Sequence, residues 1–386
     1  MRNVGGKWVA PVNSELIQEW RDLSNLDRYV KKLSTTVFLL LFIEAQLQHR
    51  KGLRSIMRSL RADDEFQQAL GISSISAAQL SRKNNKLDPE VLQTILCDLI
   101  TKLHQVQSPV AARIGSVKVI DSTTISLCLK KYKWATFRKT KAGVKLHLRV
   151  TFLEPGTVYP DKAVITPAKP ADHTQMDVLI DEADATYLMD RGYLDYRKYD
   201  NYCEHGIRFV SRLKNNAIIE EVCELPKPEG TKIIRDVKVI LGKGNKRMKN
   251  ALRMIVTTDS HGQPVRIITN RFDLTAEEIG EMYRSRWQIE IFFRWVKQNL
   301  KFTRFYGEEE NAVMNQIWIC LIAYCLLLLM KLELSTDRTL TELMDSLKTL
   351  LWKPWEKFVA AMNWTPSRTS KGRQKKHKSV VAAERN

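Results

Sequence analysis

The stretch MYRSRWQIEIFFRWVKQNL, from Met282 to Leu300, places polar side chains at intervals among bulky aromatic ones. Just before it, Thr275 and Glu278 have the spacing of a capping box, in which the Thr hydroxyl and the Glu carboxylate bind the first free backbone N–H groups of a helix. The sequence therefore predicts a helix that begins at this point. At about 100° per residue, four polar residues then fall within an arc of roughly 60°. This polar stripe consists of Tyr283, Arg286, Glu290 and Lys297.

The other faces of the predicted helix are apolar, and this pattern predicts a helix that is buried nearly all round. The apolar residues are Trp287, Ile291 and Trp295 on one side, Met282 and Phe293 on the other, and Phe292 and Val296 at the back. A carboxylate in such a helix is paired or binds a metal, because the burial of a free charge costs more than one helix can supply. Glu290 can therefore form an ion pair with Arg286 at i, i+4 spacing, or it can be a metal ligand.

The composition indicates a globular protein with a polyanionic partner. The chain has 386 residues, of which 44% are hydrophobic, and this is enough for two or three domains with a real core. Lys and Arg number 62 against 43 Asp and Glu, a formal net charge of +19. Such an excess favours nucleic acid as the partner, with an anionic membrane surface as the weaker alternative.

Nothing in the sequence predicts a membrane span or secretion. The longest apolar run, Ile317 to Met330, is shorter than the ~20 residues that cross a bilayer, so we expect a buried core helix. The N-terminus lacks the pattern of a secretion signal. The six cysteines form no C-x-x-C pair and predict neither a zinc site nor a disulfide framework, which favours a reducing cytoplasm.

The N-terminal part of the chain, from residue 14 to about 106, has a helical pattern. Ser76 and Gln79 have capping-box spacing, and Asp88-Pro89 has the form of an N-cap and first helical position. This predicts two helices separated by a polar turn around Asn84 and Asn85. The pair resembles a helix-turn-helix, although an ordinary helical pair with a solvated face fits equally well. In the helix-turn-helix interpretation the DNA-facing residues are Gln79, Arg82, Lys83 and Asn84.

From Val117 the period changes to that of strands. SVKVIDSTTISLCL, GVKLHLRVTFL and DKAVITPA predict three successive strands, followed by a helix from His173 to about Ala183, a short strand TYLMD, a helix from Asp195 to Glu204 and a strand IRFVSRLK. This order indicates a mixed α/β layer. We therefore predict a helical N-terminal domain (residues 1–110), an α/β core (111–335) with a β-rich insertion at about 213–270, and a C-terminal helical segment with a basic tail (336–386). The tail, SRTSKGRQKKHKS, is expected to be disordered and either contacts phosphate or only keeps the terminus solvated.

Three carboxylates stand where such a fold would place metal ligands. Asp121 follows the apolar strand VKVI, and Asp190 follows TYLM with Gly192 supplying the turn. Either Asp could instead cap the turn that follows it. Together with Glu290, however, they could bind two Mg²⁺ ions roughly 3.5–4 Å apart, the arrangement that promotes displacement at a phosphodiester.

The polar stripe follows the pattern Y-x2-R-x3-E-x6-K, and with both aspartates it resembles the DDE transposases of the bacterial family named after insertion sequence 4. VIDSTT and DRGY look like the segments that carry the first and second Asp of that family, and KAGVKLHLRV and RFVSRLK are similar to its core. The resemblance spans about Val117 to Lys331.

The resemblance implies an RNase H-like catalytic core and a metal triad of Asp121, Asp190 and Glu290 that holds two Mg²⁺ ions, for which Mn²⁺ can substitute. It also implies binding to terminal inverted repeats of an insertion sequence, nicking of the element end, attack of the freed 3′-hydroxyl on the opposite strand to form a hairpin, and joining to target DNA. The partners would be double-stranded DNA and a second copy of the chain, in the cytoplasm of a bacterium, with no membrane and no small-molecule substrate.

The same resemblance implies roles for the remaining residues of the stripe. Tyr283 and Arg286 would hold the phosphate near the transferred-strand end, for which the planar guanidinium is suited, and Lys297 would contact the same backbone. Trp287 either fills the space left by a flipped base or is a core tryptophan. Further DNA contacts are expected at Arg212 and Lys214, which could also form a solvated strand edge, and at Arg82 and Lys83. One departure from the family is that residues 210–271 contain no Trp, Tyr or Phe to stack an extruded base.

Two other functions remain compatible with the sequence. A nuclease of the same fold would cleave DNA without joining ends. A regulator or inactive remnant would bind DNA, and its carboxylates would be structural.

Overall fold

The structure is a computed structural model that describes residues 3–12, 15–19, 27–106, 114–226, 230–259, 261–300 and 302–364. The basic tail predicted at the C-terminus lies outside the described residues. Helices and strands are numbered below in the order in which they occur along the chain.

The N-terminal part is helical, as predicted. Its helices are α1 (Val4–Val9), α2 (Thr35–Leu47), α3 (Leu53–Ala62), α4 (Asp64–Leu70), α5 (Ala77–Lys86) and α6 (Pro89–Gln105). The capping box of Ser76 and Gln79 starts α5, and Asp88 caps α6 with Pro89 in its first turn. The predicted turn at Asn84 and Asn85 is wrong, because both residues are helical and α5 ends only where Leu87 becomes extended.

The mixed sheet begins with six strands. They are β1 (Ser116–Leu127), β2 (Thr136–Arg138), β3 (Lys141–Glu154), β4 (Thr157–Pro167), β5 (Ala185–Met189) and β6 (Arg208–Arg212). β3 pairs antiparallel with β1 and with β4, whereas β5 runs parallel to both β1 and β6. The order β4-β3-β1-β5-β6 forms the RNase H-like core that the resemblance implies. Every residue of β5 is buried, as expected for a parallel strand that is covered on both faces.

The helix predicted from His173 to about Ala183 is much shorter in the structure. A 3₁₀ turn at Asp172–Gln175 leads into α7 (Met176–Leu179). The guanidinium of Arg149 binds the carbonyl of Leu179 and the carboxylates of the two residues that follow Ile180. These contacts hold the chain extended beyond α7. The predicted helix between β5 and β6 is present as α8 (Tyr196–Glu204).

The β-rich insertion extends the same sheet. It contains β7 (Ile219–Glu224), β8 (Ile233–Leu241), β9 (Leu252–Thr258) and β10 (Pro264–Thr269). These strands form an antiparallel meander whose last strand, β10, pairs with β6. A buried pair between Arg253 and Asp236, with N–O distances of 2.6 and 2.9 Å, stabilises the meander. Arg253 also donates to the carbonyl of Leu274 and thereby links the insertion to the next helix.

The polar stripe lies on two nearly continuous helices, α9 (Ala276–Ser285) and α10 (Trp287–Asn299), and the predicted capping box of Thr275 and Glu278 starts α9. Two expectations were wrong. The helix is interrupted at Arg286, and it is not buried all round, because Trp287 is 48% exposed and Ile291 is 41% exposed. The sheet and the next helix cover only one side of α10, where Phe292 packs against Tyr324.

The apolar run forms the centre of α11 (Glu310–Leu334), which is followed by α12 (Leu340–Leu350) and α13 (Trp355–Asn363). Among the described residues, α11 is the helix with the length and hydropathy of a membrane span, but 72% of its apolar window is buried inside the protein. It packs against α2, α5, α6 and one face of the sheet, so the N-terminal helices and the catalytic core share one hydrophobic core. The prediction of a buried core helix is confirmed. A second core, beneath α7 and α8, covers the opposite face.

Candidate active site

Asp121 and Asp190 lie where two parallel strands separate. The β1–β5 ladder pairs Ile120 with Met189, and the two aspartates are the next residues on strands that run roughly 4.8 Å apart. β5 ends there, as predicted. β1 does not end at Asp121, because it continues to Leu127 in its pairing with β3, so only its contact with β5 stops.

Glu290 lies in the first turn of α10, and Arg286 connects it to Asp121. One guanidinium nitrogen of Arg286 is 2.5 Å from the Glu290 carboxylate, and another is 3.5 Å from the Asp121 carboxylate. The ion pair considered for Glu290 is therefore present. This ion pair does not place Glu290 far from Asp121, because the same guanidinium contacts both carboxylates.

The electrostatics of Asp121 link the three carboxylates. Burial raises the pKa of Asp121 from 3.8 to about 6, while the backbone N–H of Ser122 and the charge of Arg286 lower it. The charges of Asp190 and Glu290 raise the same pKa further. One arginine leaves this group of three carboxylates with a surplus of negative charge.

The donor chemistry of these carboxylates fits a hard divalent cation, because Mg²⁺ prefers oxygen ligands and often takes one or two carboxylates from the protein. Within the described part of the chain, no three carboxylate, His or Cys side chains converge in the geometry of a finished metal site. The chemistry of the side chains suits a divalent metal, while Arg286 occupies the position between Asp121 and Glu290.

The remaining residues of the polar stripe also reach this end of the sheet. Tyr283 lies near Arg286, whose guanidinium carbon is 5.9 Å from the ring centre, and burial raises the pKa of Tyr283 to about 12. The ammonium group of Lys297 donates to the Thr123 hydroxyl on β1 at 2.5 Å, and burial lowers the pKa of Lys297. Arg286 and Tyr283 therefore lie beside the carboxylates, and Lys297 contacts β1 two residues beyond Asp121.

Arg212 and Lys214 line two different cavities near this centre. A groove of about 600 Å³ separates α9 and the start of α10 from the insertion strands, and Arg212, Tyr283, Arg286 and Trp287 contribute to its walls. Lys214 instead lines a cavity of about 470 Å³ that contains Asp190. Trp287, which is half exposed, thus borders an open groove together with Arg286.

The residues predicted on α5 are not part of this centre. Asn84 is fully buried and its carbonyl accepts from the Asn315 amide, so the expectation that its side chain faces DNA is wrong. Lys83 binds the carboxylate of Asp27 at 2.5 Å. Arg82 remains exposed.

A polar cluster beside Asp121 was missed from the sequence. The Ser122 hydroxyl donates to Asp172 at 2.7 Å, the ammonium of Lys145 is 3.0 Å from the same oxygen, and Nδ1 of the buried His147 is 3.8 Å from it. The signal for Lys145 and His147 was the alternation in KLHLRV, which places them on one face of a strand. For Asp172, only its place before a predicted helix start could have indicated it.

Comparisons with known proteins place this geometry in context. The family model "Transposase DDE domain" matches residues 113–326, and "Domain of unknown function (DUF4372)" matches residues 2–73. The chain is 30% identical over 273 residues to "Probable transposase for insertion sequence element IS5377" of Geobacillus stearothermophilus, covering 70% of this chain and 71% of that protein. It is 24% identical over 329 residues to "Putative transposase for insertion sequence element IS4SA" of Synechocystis sp., covering 82% and 86%. Among solved structures, a piggyBac transposase synaptic complex with hairpin DNA aligns with a TM-score of 0.48 and 10% identity, over 96% of this chain and 83% of that one.

Proposed function

From the premise that the chain belongs to the DDE transposases, in the group of insertion sequence 4, we propose that Asp121, Asp190 and Glu290 are the metal ligands of its DNA cleavage and joining site. The observation that carries the proposal is the placement of the three carboxylates around one guanidinium and one pair of strands: the two aspartates follow paired residues of β1 and β5, and Arg286 contacts both Asp121 and Glu290. We propose Mg²⁺ as the physiological metal, in two ions per site, with Mn²⁺ as a substitute.

The chain's own residues supply positioning. When bound, divalent ions would stabilise the charge on the scissile phosphate and lower the pKa of the attacking hydroxyl. Arg286 binds a phosphate through its planar guanidinium, Tyr283 offers a hydroxyl next to it, and Lys297 extends the contact along the same strand. Because these groups are held by α9 and α10, they pre-orient the phosphodiester before reaction.

We propose that cleavage proceeds through hairpin ends in a cut-and-paste reaction, with Trp287 beside the extruded base. The insertion has no Trp, Tyr or Phe from 210 to 271, and the next aromatic residue is Phe272. Its neighbour Arg271 donates to the hydroxyl of Thr186 at the start of β5, whereas Asp190 follows the other end of that strand. Trp287 is therefore the exposed aromatic residue that borders the site within the described part of the chain, next to the groove of about 600 Å³. Base–aromatic stacking contributes about 1–3 kcal/mol per base.

The DNA partner is proposed to be the terminal inverted repeats of the element and its target, bound by a homodimer in the bacterial cytoplasm. The net charge of +19 supports a polyanionic partner. For Arg212, Lys214 and the exposed Arg82 we propose contacts with the DNA backbone. Lys83 would contact DNA only if it left Asp27.

The test is an in vitro reaction with duplexes that end in the terminal repeats flanking the coding sequence, with Mg²⁺, an unrelated target duplex and strand-specific labels. The expected products are a nicked end, a hairpin seen on a denaturing gel, and end–target joints. Cleavage without joints would support the nuclease alternative, and binding without cleavage would support an inactive remnant. Light scattering gives the molar mass of the protein–DNA complex and shows whether two copies of the chain bind paired ends.

A further inference from the structure

A basic groove leads away from Asp190 along the insertion. The cavity that contains Asp190 is also lined by Lys214, Asn215 and Asn216. Lys214 and Asn216 are shared with a second groove of about 580 Å³, which continues between the start of α8 and the loop that joins β8 to β9. Together they form one open path from the catalytic edge of the sheet, which we call the insertion groove.

Three carboxylates along the insertion groove beyond Asp190 are already engaged by the protein. Asp195 caps α8 by accepting from two backbone N–H groups, and Asp200 accepts from the backbone N–H groups of Lys249 and Asn250. Glu220 forms a two-point pair with Arg247, with both N–O distances at 3.0 Å. None of these three carboxylates forms an ion pair with Lys214, Lys243 or Lys246 in the described part of the chain.

The lysines of the groove lack such partners. Lys214, Lys243 and Lys246 are exposed, and none has a carboxylate within ion-pair distance in the described part of the chain. The loop that carries two of them is shaped by Gly242, which has φ +87° and whose added Cβ would lie 2.1 Å from the carbonyl oxygen of Lys246. The backbone thus holds Lys243 and Lys246 on the same tight turn at the rim.

Resting on the proposed function, we propose that the insertion groove binds the phosphodiester backbone of DNA that extends beyond the reacting phosphate. Unpaired lysines attract phosphate without regard to base sequence. An acidic peptide is also anionic and could bind the same lysines. DNA is favoured because the groove begins at Asp190, where the proposed function places a DNA phosphate, and the same DNA strand can continue from there along the groove. The backbone could belong to the element end or to the target duplex.

Salt dependence of DNA binding tests the phosphate contacts without any cleavage. In EDTA, the wild-type protein and a Lys243→Gln/Lys246→Gln variant are titrated with terminal-repeat and unrelated duplexes over a range of salt concentrations. Each lost phosphate contact lowers the slope of log K against log salt by about 0.9, so the double variant should lose about 1.8 on the duplex that occupies the groove. The matched control is Lys353→Gln/Lys357→Gln, which removes the same charge from exposed positions at the C-terminal end of the described chain. Lys357 lies on α13, and Lys353, which pairs with Glu65, lies in the connection before it.

Photo-cross-linking distinguishes the two sources of DNA. Asn245, exposed between the two lysines, is replaced by p-benzoylphenylalanine, and either the element end or the target duplex carries the label. Cross-links to the end place its flank in the groove, and cross-links to the target alone place the target there; either result supports the proposal. No cross-link to either duplex, together with an unchanged salt slope, overturns it. Because neither readout requires cleavage, a wild-type protein that binds in this way but does not cleave would refute only the proposed function.

Discussion

Replacing Glu290 by Gln separates the catalytic role of this carboxylate from its structural one. The Glu290 side chain is 31% exposed and pairs with Arg286 at i, i+4 spacing. Such partly exposed pairs contribute about 0.3–1 kcal/mol, and Gln keeps an oxygen that can accept from the guanidinium, so the free energy of unfolding should change by less than about 1 kcal/mol. Loss of a metal ligand removes part of the charge stabilisation by the metal, which contributes several kcal/mol to the rate. Because 1.36 kcal/mol is a factor of ten in rate, end cleavage should fall by at least about 100-fold.

The assay follows nicking of a labelled terminal-repeat duplex in Mg²⁺ under single-turnover conditions, alongside DNA affinity in EDTA and thermal unfolding. DNA affinity should stay constant or rise, because the substitution removes a negative charge beside the DNA. The matched control is Glu281→Gln on α9, an exposed carboxylate whose loss should leave cleavage unchanged. Cleavage by Glu290→Gln within about tenfold of wild type would remove Glu290 from the metal site and leave it as a structural partner of Arg286.

Three further changes test separate parts of the site. Arg286→Ala should reduce end cleavage by more than about tenfold while general DNA affinity falls much less, because the lost hydrogen bonds form at the reacting phosphate; equal losses in cleavage and in filter-binding affinity would make Arg286 a generic phosphate contact. Trp287→Ala should lower the ratio of hairpin to nicked product on denaturing gels, whereas Ile291→Ala, at the neighbouring exposed position, should not; equal ratios would exclude stacking on Trp287. Burial lowers the pKa of His147 from 6.5 to about 4, so the unfolded chain binds the proton more readily than the folded one. The free energy of unfolding should therefore decrease as pH falls from about 6.5 towards 4, by up to about 3 kcal/mol. Urea unfolding at several pH values should show this loss in the wild type and a smaller one in His147→Gln, and identical pH dependence would contradict the assignment.

Features governed by local chemistry could be predicted from the sequence. The capping box at Thr275, the N-cap at Asp88 and the strand β3 depend on residues within a few positions of each other, and all are present. Asp121 and Asp190 could be located because each follows an apolar strand segment, and the β1–β5 pairing stops just before both residues. Glu290 was identified by its spacing within the polar stripe.

Features that depend on distant partners were missed. Burial of α10 was overestimated, because a helical pattern does not show that only one side would be covered and that Trp287 would face a groove. Lys83 binds Asp27, a carboxylate 56 residues earlier, and no local pattern connects the two. The cluster around Asp172 likewise requires the β1–β3 register, which brings Ser122 opposite His147.

Arg286 connects the two interpretations of the polar stripe. Its guanidinium contacts both Asp121 and Glu290, and its single positive charge cannot neutralise two ionised carboxylates. A DNA phosphate that arrived with Arg286 still between these carboxylates would add a further negative charge to an under-neutralised site. Arg286 can turn to the phosphate only when other cations compensate Asp121 and Glu290. The same contact that looks like a structural ion pair in the DNA-free protein therefore makes phosphate binding by Arg286 depend on cation binding by its two carboxylate partners.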